Sequence, residues 1–179
     1  SLIEVDEVIS LENATKHSDI APDNQIISIF DVLLKVERPD KAVSFLTKFL
    51  GLPLTSQNKQ VQDTQQGVFT TVAASYSTVL SRMGRGTIDH IAYTIHSAEE
   101  LERLYQKAVQ QNLPIEQYVE RGYFKSLYLK EPNGLRIEIA TEIPGFTLDE
   151  SIEELGSTLA LPPFLENKRG AIEAQLGNF

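Results

Sequence analysis

The chain has 179 residues, a formal net charge of −9 from 16 Lys+Arg against 25 Asp+Glu, and neither Cys nor Trp. The missing Cys excludes disulfide scaffolds, zinc fingers, iron–sulfur clusters and thiol nucleophiles. The acidic balance argues against nucleic acid and anionic membranes, both of which are gripped through Lys and Arg. Chemistry is therefore left to His, carboxylates, Tyr, Arg, or a metal held by nitrogen and oxygen.

The first residues, Ser1 to Glu7, are strand-like, with neither the basic start nor the apolar run of a signal peptide. No stretch approaches the roughly 18 apolar residues that span a bilayer. The start has no initiator Met and leads into a polar linker, Asn13 to Asn24. Residues 1–25 are expected to be the last strand and linker of a missing N-terminal half, and the absence of Cys fits a cytoplasmic protein.

A repeated pattern follows. Ile29–Val36 alternates and is rich in β-branched residues, so it predicts a strand. Arg38-Pro39-Asp40 opens a helix with apolar positions at Ala42, Phe45, Leu46 and Phe49, ending at Gly51 before Leu52-Pro53-Leu54. Weaker strands are expected at Gln57–Thr64, Gly67–Ala73 and Tyr76–Leu80. From Ile88 the order recurs. Ile88–Ile95 predicts a strand, Ser97-Ala98-Glu99-Glu100 a capping box, and Leu101, Leu104, Tyr105 and Ala108 the apolar helix face, with Asn112 then Leu113-Pro114-Ile115 after it. Strands are expected at Pro114–Glu120, Phe124–Lys130 and Leu135–Thr141, the last two joined by the hairpin signal Glu131-Pro132-Asn133-Gly134. The fold class is thus α+β: two paired βαβββ modules, 26–82 and 86–142, with a C-terminal helical tail at 143–179. In the tail, helix-like runs at Asp149–Leu159 and Arg169–Leu176 flank the breaker Leu161-Pro162-Pro163-Phe164.

Paired modules of this kind curl into a cleft on which inward residues of opposed strands converge. His90, on the first strand of the second module, and Glu138, on its last strand beside Arg136 and Ala140, would be neighbours there. They form two-thirds of a His/carboxylate facial triad that leaves positions open on iron(II). The alternative for each is a hydrogen-bonded strand residue. His17 and His96 read as solvated, and the carboxylates Asp149 to Glu154 as a solvated helix start. At the His90 position the first module has Asp31, and at the Glu138 position Thr71. It therefore does not duplicate the ligands. Asp31 is a third ligand only if the two modules pair within the chain; otherwise this module is structural.

Gly86-Thr87-Ile88-Asp89-His90-Ile91-Ala92, Tyr123-Phe124-Lys125-Ser126-Leu127-Tyr128, Glu131 through Thr141, and the tail from Pro144-Gly145-Phe146 to Leu161-Pro162-Pro163-Phe164-Leu165 together resemble the C-terminal half of ring-cleaving dioxygenases. These are hydroquinone-type extradiol enzymes of the vicinal oxygen chelate superfamily, which includes the glyoxalase and bleomycin-resistance proteins. The resemblance implies four modules, of which this chain holds the last two, with a glyoxalase-like fold. It implies iron(II) or manganese(II) on His90 and Glu138, with Tyr128 and Arg121 handling ring hydroxyls, protons and negative charge. It further implies an aromatic substrate with dioxygen, and a third His ligand from the missing N-terminal half. At position 89 the family often has His, and here it is Asp. The leading expectation is therefore the C-terminal half of an extradiol-type dioxygenase acting on a hydroquinone or catechol, inactive by itself and self-associating as a homo-oligomer. The alternative is a non-catalytic binding or structural member of the fold. A glyoxalase-like isomerase fits the tail and Tyr-Phe segment less well.

Overall fold

The computed structural model describes residues 19–26, 28–55, 59–63, 67–77 and 84–176. The first module starts with β1 (Asp31–Val36), whose alternation turns Leu34 and Val36 inward, and α1 (Pro39–Lys48). Pro39 stands at the helix start, where its missing N–H is no loss. Ala42, Phe45 and Leu46 bury one helical face, continued by Phe49. β2 (Gln60–Asp63) and β3 (Val68–Ala74) follow, with β3 central, parallel to β1 and antiparallel to β2.

The second module runs β4 (Ile91–Ile95), α2 (Ala98–Gln110), β5 (Ile115–Glu120), β6 (Lys125–Lys130) and β7 (Arg136–Thr141). Its sheet order is β4-β7-β6-β5, with β4 and β7 parallel. Ser97 caps α2 by accepting from the Glu100 N–H at 3.1 Å. The β6–β7 turn is held by Glu131, which accepts from the N–H groups of Asn133 and Leu135 at 2.7 and 3.1 Å.

The internal repeat is real in three dimensions. Leu33 pairs with Thr71 across β1 and β3 in the register in which Ala92 pairs with Glu138 across β4 and β7. The helix-side faces of both sheets share one core, crossed by a buried 3.0 Å hydrogen bond between Thr70 and Tyr93 hydroxyls. Lys107 of α2 donates to the Lys48 and Phe49 carbonyls at 2.7 and 3.0 Å, placing a cation at the negative end of α1. In β7, Ile137 and Ile139 fill the core under α2, which turns Arg136, Glu138 and Ala140 to the other face of the sheet.

Four expectations change. Both leading strands begin late, at Asp31 and Ile91, so His90 sits one residue ahead of its strand. Among the described residues the first sheet has three strands, and the place of β5 shrinks to a single bridge between Leu54 and Val61. Of the strand expected at Gln57–Thr64, β2 takes up Gln60–Asp63 and fills the place of β6, while 57, 58 and 64 lie outside the described residues. Tyr76 and Ser77, the start of the strand expected at Tyr76–Leu80, lie outside any strand; 78–80 are outside the described residues. The reason is that β3 already fills the last-strand slot beside β1, and the Ser75 N–H ends that ladder on the Val36 carbonyl. Finally, Asp149–Leu159 forms successive turns rather than a helix. Gly156 takes φ 77, and the Glu150 carboxylate accepts from the Gly156 N–H and the Thr158 hydroxyl, local bonds that compete with a helical ladder. The tail instead has a 3-10 turn at Pro163–Lys168 and the expected helix, α3 (Arg169–Leu176). Residues 1–18, including the strand-like start and His17, lie outside the described residues. Among those described, no helix is long and apolar enough to cross a membrane.

Candidate metal centre

On the face of the second sheet opposite α2, a cleft of about 200 Å³ is lined by Asp89, His90, Glu116, Gln117, Arg121, Tyr128 and Arg136. Three of the four residues singled out for chemistry, His90, Arg121 and Tyr128, line this cleft, and the fourth, Glu138, is buried against His90. Tyr128 pairs with Glu138 across β6 and β7, as strand alternation requires. His90 reaches Glu138 from the mouth of β4, Nε2 to Oε2, at 2.7 Å. The Tyr128 ring meets the His90 ring edge-on at 5.5 Å, and the Arg121 guanidinium lies over the Tyr128 ring at 5.5 Å.

Glu138 is only 4% exposed. Its Oε1 accepts from the Ser126 hydroxyl at 2.5 Å, leaving Oε2 for His90. His90 Nδ1 lies 2.6 Å from Asp89 Oδ2. Arg136 clamps Asp89 in turn, donating to both its oxygens at 3.0 and 2.9 Å and to Glu116 at 2.5 Å. The His90 and Arg136 bonds hold the Asp89 carboxyl below its ordinary value, and Arg136 does the same for Glu116. Burial, then the neighbouring Glu138 carboxylate, push the Tyr128 phenol up, while Arg121 pulls it down.

Glu116, Gln117 and Ser126 had no role in the sequence reading. The register of β5 on β6 slips between Ile115 and Gln117. Such a bulge re-aims side chains, so Glu116 and Gln117, adjacent in sequence, both reach the cleft. Alternation would have sent them to opposite faces; only the cross-strand pairing reveals the slip. Ser126 was legible in principle, two residues from Tyr128 on the same strand face.

Asp31 does not join this cluster. Its carboxylate accepts from the Thr71 N–H and hydroxyl at 3.1 and 2.8 Å. His96 is exposed, 3.1 Å from Glu142. Among the described residues no group of three or more His, Cys, Asp or Glu is gathered to hold a metal. His90 and Glu138 fit a divalent ion as a two-donor site. They offer one nitrogen and one carboxylate oxygen side by side, and a carboxylate behind the imidazole fixes the ring as outer-shell partners of metal ligands do.

The profile of the Glyoxalase/Bleomycin resistance protein/Dioxygenase superfamily matches residues 28–139. The chain is 44% identical over 95 residues to the "Putative ring-cleaving dioxygenase MhqA" of Bacillus subtilis, covering 53% of this chain and 30% of that one. It is 33% identical over 87 residues to the chlorohydroquinone/hydroquinone 1,2-dioxygenase of Sphingobium indicum, covering 47% and 26%. A crystal structure titled "putative dioxygenase from Bacillus subtilis" superposes with a TM-score of 0.76 at 28% identity, over 90% of this chain and 53% of that one. The chain spans between 26% and 54% of the length of the curated relatives it matches.

Proposed function

The chain belongs to the Glyoxalase/Bleomycin resistance protein/Dioxygenase superfamily, and from that premise we propose that it is the C-terminal half of a metal-dependent extradiol-type dioxygenase. Its reaction would open the ring of a hydroquinone or catechol with dioxygen. The supporting observation is that His90, Tyr128 and Arg121 line one cleft of the second module with Glu138 buried against His90. The names of the relatives agree with the reaction class.

In this reading residues 1–25 belong to the preceding half, 26–82 form a structural module, 86–142 carry the metal ligands and 143–179 are the tail. His90 and Glu138 would hold iron(II) or manganese(II), which supplies, when bound, a place for dioxygen and the diol side by side. Asp89 accepts from Nδ1–H and so leaves Nε2 for the ion. Ser126 steers Glu138 by holding its other oxygen. The Tyr128 phenol, kept protonated by its surroundings, donates to a ring oxygen, and Arg121 stabilises negative charge developing on the ring. A further ligand comes from the upstream half, which also covers the exposed Ile29, Phe30 and Leu33 of the first module. Without that half these apolar residues favour a homo-oligomer. A cytoplasmic location belongs to the same reading.

The test is oxygen uptake and product analysis with hydroquinones and catechols. Turnover is expected from the protein carrying the upstream half, loaded with iron(II) or manganese(II), and is expected to vanish in His90→Ala. The 179-residue chain is expected to be silent, and its turnover would refute the half-site assignment. A second reading, a non-catalytic binder of the same fold, is favoured by one observation, the lack of a third gathered donor among the described residues. Metal analysis of the longer protein separates the two: a stoichiometric ion lost in His90→Ala supports the enzyme, and no ion in the wild type supports the binder.

A further inference from the structure

The segment that carries Arg121 is tied both to its own sheet and to the tail. The β5–β6 turn is closed by the Arg121 N–H on the Phe124 carbonyl at 2.8 Å. Within the turn the Gly122 N–H also donates to the Glu120 carboxylate at 3.1 Å, and further holds come from later in the chain. The Gly145 N–H donates to the Tyr123 carbonyl at 2.8 Å, and the Tyr123 hydroxyl donates to Asp149 at 2.7 Å. Phe146 stacks on Tyr123 with centroids 5.4 Å apart and meets Phe124 edge-on at 5.9 Å. Pro162 closes the other side. Gly122 has φ +89, and a Cβ there would collide with the Pro162 Cβ, so only glycine lets the two segments touch.

Arg121 follows directly from this clamp. Within the cleft it makes one 3.3 Å hydrogen bond, to the Gln117 side chain, and stacks on Tyr128. No ion pair to a carboxylate is found for it among the described residues, whereas Arg136 is fixed from two sides. The side chain is weakly held, so its place is set by its backbone. We propose that the tail, through the Tyr123–Asp149 hydrogen bond, Phe146 and the Gly122–Pro162 contact, is the positioning element for Arg121 in the cleft. Tyr123 and Asp149 are then positioning residues of the site. The inference rests on the reading of the cleft as the functional site, but its first test does not require turnover.

The first measurement is NMR of the 179-residue chain. The Arg121 Nε–Hε resonance, identified by its loss in Arg121→Lys, is expected to carry the ring-current shift of Tyr128. Tyr123→Phe and Asp149→Ala are expected to move it toward the random-coil position, while Asp149→Asn, which can still accept from the hydroxyl, keeps it in place. An unmoved resonance in folded Tyr123→Phe and Asp149→Ala would overturn the proposal. If Asp149→Ala does not fold, Tyr123→Phe decides, since it removes one oxygen and leaves the ring stack. The second measurement uses the longer protein if it turns over a hydroquinone. Tyr123→Phe should lower kcat/KM by about tenfold and add nothing on top of Arg121→Lys, the non-additivity of residues acting as a unit. Additive losses would overturn it. Absence of turnover in the wild type counts against the dioxygenase reading alone, and the resonance shift then decides the role of the tail by itself.

Discussion

Asp89 offers a direct test of how His90 is aimed. Asp89→Ala removes the acceptor 2.6 Å from Nδ1 and with it one of the two carboxylates on Arg136; Glu116 keeps the other. The Asp89 side chain is 43% exposed, so its ion pair should matter little to folding, and the melting temperature is expected to stay near that of wild type. The effect should appear on the metal. Losing an outer-shell carboxylate lowers metal affinity by about 10–100-fold, and the half-exposed position puts the expectation at the low end, about tenfold. Manganese(II) titration followed by electron paramagnetic resonance measures this, with Asp89→Asn expected in between because its amide oxygen still accepts. The pH sign also follows. The Asp89 carboxyl is depressed below 3.8 by His90 and Arg136, so its contribution is full above that value and is lost as pH falls through the lower folded value. Asp89 is therefore a carboxylate throughout a titration at pH 6 to 8, where its effect is to be measured. Equal affinity in the two proteins would refute the claim that Asp89 orients the ring.

Three further outcomes are expected. Leu127→Ala opens a cavity at a fully buried site under α2 and should cost about 2–5 kcal/mol in urea denaturation. Ser97→Ala removes the N-cap of α2 and should cost about 1 kcal/mol, read by the same measurement. Tyr118 and Tyr123 are each pushed up to about 12 by burial and by the carboxylates of Glu102 and Asp149. Their folded values exceed their unfolded ones, so this contribution is complete below 10.0 and fades as pH rises toward 12. Absorbance at 295 nm should show Tyr118 and Tyr123 still protonated at pH 11, and Asp149→Asn should bring Tyr123 down.

The repeat was legible because its signals are local: Pro39, the Ser97 box, Asn112 and the Asn133-Gly134 turn each settle a boundary by short-range chemistry. His90 and Glu138 could be read as neighbours because two strands of alternating residues fix which side chains face one way. Several features were not legible for the opposite reason. The slip in β5 depends on how Ile115 and Gln117 pair with β6, which β5 alone does not encode. The late start of β4 depends on where the parallel β7 begins, since a strand needs its partner. The run Asp149–Leu159 has helix-like composition, but its side chains find nearer partners. The hold of the tail on Gly122 and Tyr123 joins residues too far apart in sequence for any periodicity to reveal.

The matched register of the two modules has a consequence for how such a protein can change. The Asp31–Thr71 and His90–Glu138 contacts occupy the same address in their respective sheets, one filled by a neutral hydroxyl and one by an imidazole. Exchanging the pair at one address for the pair at the other alters only two side chains at matching positions of the two sheets. A duplicated scaffold of this kind offers one side-chain address twice, so the two copies can carry different chemistry on the same frame.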